Sequence, residues 1–361
     1  MWIEMVERPL DVWYSYLERI LNPRSCPMIM KLEYRHVRPQ CARLRRCLDR
    51  PSDMQYSVHP AWTFSRFSRP ASSRSRHETA PVAVMMPFTV PQLTAPDLAH
   101  AKQRHHVGSA SQHLQQHGIL KINLGFPDPG SQYLEQLVLS LHEHHGHRPP
   151  ISHSASCGWF WDVRPSINTP FQTPQHQARS ETMGEFPWHT DCSYEDLPPR
   201  YFALHVLQHD RFGGGTLSVM NVQRLSELLS PDTRTSLMRQ DYSIRIPLEF
   251  IKEPERREIV GSVLTAQQDV QPCMMRFRRD LVTPLTERAS RALQELDMSL
   301  QDAEAQAQSM LHLTSKDLSA GSIILVDNRR WLHARSNIKD PKRHLRRVRW
   351  DAIPFNDAPV E

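Results

Sequence analysis

A mainly β fold with flanking helices is what the sequence predicts, and three observations carry that prediction. Short runs at 119–124, 201–207, 216–220 and 322–326 are apolar or alternate apolar with polar, and have the length of strands. Two longer stretches, 131–145 and 285–310, repeat their apolar residues at threes and fours, which predicts amphipathic helices packed outside a β core. No apolar run reaches the length of about eighteen residues that a membrane span needs, so no membrane partner is expected.

The elements follow in chain order. From Met85 the composition becomes that of a folded domain. Thr94, Pro96 and Asp97 predict a helix start, with a threonine cap, a proline in the first turn and an acid near the positive helix end. Residues 111–117 predict a helical stretch closed by Gly118, and 119–124 a strand. The helix over 131–145 runs into His142, Glu143, His144, His145, Gly146 and His147. Gly146 stands where a His-Glu-x-x-His zinc motif needs its second histidine, so these residues read as a solvated helix end. The aromatic run 157–161 predicts a buried strand, and 169–185 a polar loop. Pro198 and Pro199 introduce the strand 201–207, and Gly213, Gly214 and Gly215 turn the chain back into 216–220. Helices are expected over 222–229 and 230–239, a strand over 242–250, and two final strands near the C-terminus. Residues 251–275 carry no firm prediction.

At 361 residues, with 39% hydrophobic residues, the chain can hold one large domain with appendages. Its six cysteines show no Cys-x-x-Cys pair, which favours a reduced, cytoplasmic setting over a disulfide scaffold, with a mitochondrial one as the alternative. The net charge of +5 is placed unevenly: residues 21–80 hold twelve Lys/Arg against four acids. Residues 1–84, rich in Arg, Ser and Pro, are therefore read as a disordered basic extension ahead of a catalytic domain at 85–361. Acids at positions 4, 7 and 11 do not suit a transit peptide. Arg43, Arg45 and Arg46 form a basic cluster too small to make nucleic acid the expected partner. Monomer and homo-oligomer both stay open.

Chemistry concentrates between Phe186 and Arg347. His189-Thr190-Asp191 sets an imidazole and a carboxylate two residues apart, on one face if the backbone is extended. With a distant second histidine, His333, this is the ligand set of a facial triad for non-haem Fe(II), which leaves coordination positions open. Gly213-Gly214-Gly215-Thr216 follows the first pair. Asn328-Arg329-Arg330-Trp331-Leu332-His333-Ala334-Arg335 and Arg343-His344-Leu345-Arg346-Arg347 close the region. In order, spacing and local sequence, over roughly 95 to 355, these motifs resemble the Fe(II)/2-oxoglutarate-dependent oxygenases of the taurine dioxygenase (TauD/TfdA, clavaminate synthase-like) superfamily.

The resemblance implies a double-stranded β-helix, or jelly-roll, core. It implies Fe(II) on His189, Asp191 and His333, with 2-oxoglutarate as co-substrate and O2 as oxidant. Arg343 matches the arginine that receives the far carboxylate of 2-oxoglutarate, and Thr216 the threonine that adds a hydroxyl. Arg347, on the same strand face as Arg343, would make a second contact to 2-oxoglutarate or to an anionic substrate, with Arg335 in a similar role, while Arg346 should point away. Ala334 replaces the family's usual glycine. The ten-residue interval from His333 to Arg343 is short for the family, which keeps Arg346 and Arg347 open as holders of the carboxylate. The implied activity is hydroxylation, or desaturation, of a C–H bond in a small organic molecule, with anions among the candidates, and with release of succinate and CO2. The rival readings are a non-catalytic jelly-roll binding protein and a metal-dependent hydrolase. Neither needs the triad, glycine turn and arginine together.

Overall fold

The structure, a computed structural model, describes residues 88–152, 158–165, 178–265, 273–305 and 310–355, with side chains described up to Asp302 in the fourth stretch. All of them belong to the unit Thr79–Glu361. The basic extension expected at 1–84, its boundary, Cys157 and most of the loop expected at 169–185 lie outside the described residues.

Thirteen strands are defined among the described residues: β1 Gln92–Ala95, β2 Ile119–Leu124, β3 Trp161–Val163, β4 Phe186–His189, β5 Pro199–Gln208, β6 Leu217–Asn221, β7 Tyr242–Arg245, β8 Glu258–Gly261, β9 Val282–Pro284, β10 Met310–Leu313, β11 Ser322–Asp327, β12 Trp331–Arg335 and β13 His344–Ala352. Five α-helices accompany them: α1 Arg104–His117, α2 Gln132–His145, α3 Val222–Leu228, α4 Pro231–Leu237 and α5 Glu287–Ala305. One sheet has the order β1-β2-β11-β5-β13-β3, a second β10-β6-β12-β4, and a small third β8-β7-β9. The first two sheets form the jelly roll.

Side-chain alternation sorts residues into layers. On β5, Tyr201 and Ala203 pack in the core shared with α1 and α2, whereas Phe202, Leu204 and Val206 enter the core between the sheets. On β12, Trp331 faces that inner core, and Leu332 faces a third core built with α3, α4, α5 and the small sheet. His333 follows on the inner face, which is how a strand buried on both sides carries a polar side chain into the barrel.

The end of α1 and its docking explain part of the closing motif. Gly118, at φ +69°, ends the helix in the left-handed region, where a side chain would be strained and a Cβ would meet the Trp331 indole nitrogen at 2.9 Å. The free carbonyls of the last turn are taken by the turn before β12: Arg330 Nη1 donates to Gln115 O (2.8 Å), Arg330 Nη2 to Gln116 O (3.1 Å), and Trp331 Nε1 to His117 O (2.9 Å).

Several expectations are corrected. Thr94 does not cap a helix. It lies in β1, which pairs in parallel with β2, and Asp97 caps a short 3-10 turn through the N–H of His100 (3.3 Å). Helix α1 begins at Arg104, seven residues before the expected start, because its polar first turns gain a buried face only against the sheet. The strand expected over 242–250 stops at Arg245, and Pro247, which has no N–H to donate, precedes a 3-10 turn. Met310 belongs to β10, paired with Met220, and not to α5. The aromatic strand is Trp161–Val163, while Trp159 and Phe160 pack half-buried against the helix-side core.

Candidate metal centre

His189 and His333 are direct antiparallel partners, one on β4 and one on β12. Their ring centroids lie 4.0 Å apart. Nε2 of each lies 3.7 Å from Oδ1 of Asp191. All three residues are buried, and one ligand atom from each falls within 4.8 Å of the others. No other group of three or more His, Cys, Asp or Glu side chains converges in this way among the described residues.

The two-residue spacing does not act by strand parity, as expected from an extended backbone. β4 ends at His189, and Asp191 already lies in a turn. Its position is set by Asn328, which accepts from the Asp191 N–H (2.7 Å) and donates to the Asp191 and Pro199 carbonyls (2.9 and 3.0 Å). Thr190 is anchored in turn: its N–H donates to Phe277 O (2.7 Å), and its hydroxyl accepts from the Phe277 N–H (3.0 Å). Asn328 belongs to the closing motif, yet sequence reasoning gave it no role. Its signal was its place beside a ligand-bearing strand.

Charge and tautomer suit a cation. His189 Nδ1 lies 2.8 Å from Pro187 O and donates to it, which leaves the Nε2 lone pair facing Asp191. Burial, with His333 alongside, pushes His189 down to about 3, so its ring is neutral near pH 7. His333 differs from His189, since its Nδ1 is buried with no acceptor among the described residues. Burial would raise the Asp191 carboxyl, but the Arg347 guanidinium and the two histidines hold it well below the usual carboxylate range. Arg347 Nη1 reaches both Asp191 oxygens, at 3.3 and 3.0 Å.

The expected arginines separate by role. Arg343, Arg335 and Arg347 line one cleft with the triad. Arg343 is 5% exposed, and its Nη1 is buried without a partner among the described residues. Burial lowers its pKa to about 10, which still leaves a full positive charge at pH 7. One glycine of the turn makes room for this side chain: a Cβ on Gly215, at φ +62°, would come within 2.7 Å of Arg343 Nε. Arg346 points away, as expected, and pairs with Asp162 (3.0 Å). Arg335 donates from Nη1 to Ser180 O (3.0 Å) and from Nη2 to Thr182 O (2.9 Å) and Gly184 O. Its terminal nitrogens therefore hold the chain ahead of β4, and are not turned to a substrate. Thr216 is not among the residues that line this cleft. Leu217 takes that place, while the Thr216 backbone pairs with Ser336.

A second cleft adjoins the first through Phe186, His189 and Asp191, and carries Arg278, Arg347 and Arg349 with Tyr194 and Phe250. Arg278 and Arg349 were not anticipated. Arg349 could have been found by continuing the alternation of β13 two residues past Arg347.

A jelly roll that brings two histidines and a carboxylate to one buried point, with a cationic cleft beside them, defines the class of 2-His-1-carboxylate non-haem iron proteins. Residues 87–349 match the family described as taurine catabolism dioxygenase TauD, TfdA family, and the chain belongs to it. It is an Fe(II)/2-oxoglutarate-dependent dioxygenase, with O2 as oxidant. Solved structures agree in fold. An asparagine oxygenase in complex with Fe(II), 2S,3S-3-hydroxyasparagine and succinate has a TM-score of 0.54 at 17% identity, covering 72% of this chain and 93% of that one. The non-heme iron oxygenase OrfP in complex with Fe has a TM-score of 0.52 at 15% identity, covering 72% and 94%. The same protein with Fe and alpha-ketoglutaric acid has a TM-score of 0.50 at 15% identity, covering 72% and 84%. No curated protein matches the chain.

Proposed function

We propose that His189, Asp191 and His333 hold the Fe(II), that Arg343 receives the far carboxylate of 2-oxoglutarate, and that the enzyme hydroxylates a C–H bond of a small anionic molecule. The observation that carries this is Arg343. A buried guanidinium with no carboxylate partner among the described residues is costly unless an anion completes it, and this one shares its cleft with the triad. Bound iron and 2-oxoglutarate would supply activation of O2, with succinate and CO2 as co-products.

The chain's own residues do the rest. His189 and His333 offer Nε2, and Asp191 offers a carboxylate whose second oxygen stays on Arg347. Arg343 presents a planar, permanently charged donor pair suited to a carboxylate. Phe202, Leu204, Leu217 and Leu345 give the cleft apolar walls that limit water around the reacting centre. The anionic substrate is supported by the second cleft, where Arg278, itself paired with Asp280 (3.0 Å), lines the wall with Arg347 and Arg349 beside the triad. Thr216 keeps a supporting role through the backbone of the glycine turn.

The test is anaerobic addition of Fe(II) and 2-oxoglutarate to the protein, followed by visible absorbance, with His189→Ala and Arg343→Ala beside it. A weak metal-to-ligand band in the wild type, lost in both variants, is the expected result. Iron binding without the band would overturn the co-substrate site, and absence of iron binding would overturn the triad. Succinate release then screens carboxylates, sulfonates and phosphate esters against neutral analogues.

A further inference from the structure

Arg335 sits two residues beyond His333 on the inner face of β12, is 7% exposed, and lines the triad cleft with Arg343. Its two Nη atoms hold three carbonyls of the segment 180–184, and the Ile338 N–H holds a fourth, Met183 O (2.8 Å). Ser180, in that segment, lines both clefts, so the segment is a wall of the site. Arg335 Nε is buried with no partner among the described residues, and so is Arg343 Nη1.

We propose that Arg335 is a positioning residue that ties the 178–184 wall to the co-substrate: the Nη atoms grip the wall while Nε completes the anion held at Arg343. An anion arriving there satisfies both orphaned donors at once. The grip on the wall then becomes firmer when 2-oxoglutarate is bound. This rests on the reading of Arg343 as the anchor of 2-oxoglutarate.

Hydrogen exchange of the amides 178–186 tests it, in the full chain with anaerobic Fe(II), with and without 2-oxoglutarate, while absorbance reports binding. In the wild type, 2-oxoglutarate should slow exchange of this segment about ten-fold, the weight of one further charge-assisted hydrogen bond. Arg335→Met should exchange faster in the free protein and show no further slowing with 2-oxoglutarate, although it still binds it. Arg343→Met should match the wild type when free and show no slowing. Arg335→Lys covers the case in which the methionine variant does not fold, since one ammonium cannot span Ser180, Gly184 and the anion together, and it too should lose the ligand-dependent slowing. A wild type that binds 2-oxoglutarate with unchanged exchange, or an Arg335 variant that keeps the slowing, overturns the coupling alone. A wild type that fails to bind 2-oxoglutarate overturns the underlying reading and the coupling with it.

Discussion

Single residues around the site hold geometry as much as they offer atoms. Asn328 touches no expected ligand atom, yet its amide clamps the Asp191 backbone from both sides. Asn328→Ala should take the side-chain partner from three backbone groups, the Asp191 N–H and the Asp191 and Pro199 carbonyls, and let Asp191 drift, lowering metal affinity roughly ten- to a hundred-fold. Titration with Co(II), followed by its d–d absorbance, reads this directly, and unchanged affinity would remove Asn328 from the site. Gly215 is the complementary case. Gly215→Ala places a Cβ in a left-handed position against Arg343 Nε, for a cost of about 1–2 kcal/mol. A lowered Tm together with a raised KM for 2-oxoglutarate is expected. A lowered Tm alone would mean that the turn supports the fold and not the guanidinium.

At the scale of elements, the turn between β11 and β12 serves two neighbours. Asn328 faces the metal ligands, whereas Arg330 and Trp331 close the C-terminus of α1. A cation there meets both the open carbonyls and the negative end of the helix. Arg330→Ala should therefore destabilise the domain by about 1–2 kcal/mol while leaving metal affinity unchanged. Urea midpoints and the Co(II) titration separate the two effects. Loss of metal binding in this variant would show that α1 docking and the site are not independent.

At the scale of the molecule, the layered packing buries histidines that must stay neutral. His147 stacks on Tyr201 and accepts from the Trp350 indole N–H at Nδ1 (3.0 Å), and His205 pairs with the Ser131 hydroxyl (2.9 Å). Burial pushes each down to about 4. The unfolded chain takes up these protons first, below about pH 6.5, and the folded chain only near pH 4. The stability they contribute is thus whole above pH 6.5 and falls as pH drops through that window, by at most about 1.4 kcal/mol per pH unit for each histidine. Urea midpoints at pH 7.5, 6.0 and 5.0 should decline in that order, and His205→Asn should flatten the decline. A midpoint independent of pH across this range would contradict the burial argument.

The sequence by itself determined the chemistry and most of the strands. His189, Asp191, His333 and Arg343 were legible through the order and spacing of motifs that resemble a known family, and the apolar period of 119–124, 201–207 and 322–326 needs no partner to be seen. Only the tertiary structure decided which face a polar residue near a strand end turns to. Thr216 and Arg335 both belong to matching motifs, yet Leu217 displaces one from the cleft wall and the carbonyls of Ser180 and Thr182 occupy the other. Thr94 joined a strand because β2, twenty-odd residues on, offered it a hydrogen-bonding edge. In each case the outcome was set by partners distant in the chain. A residue's type fixes what it can bind, and only packing fixes what lies within reach.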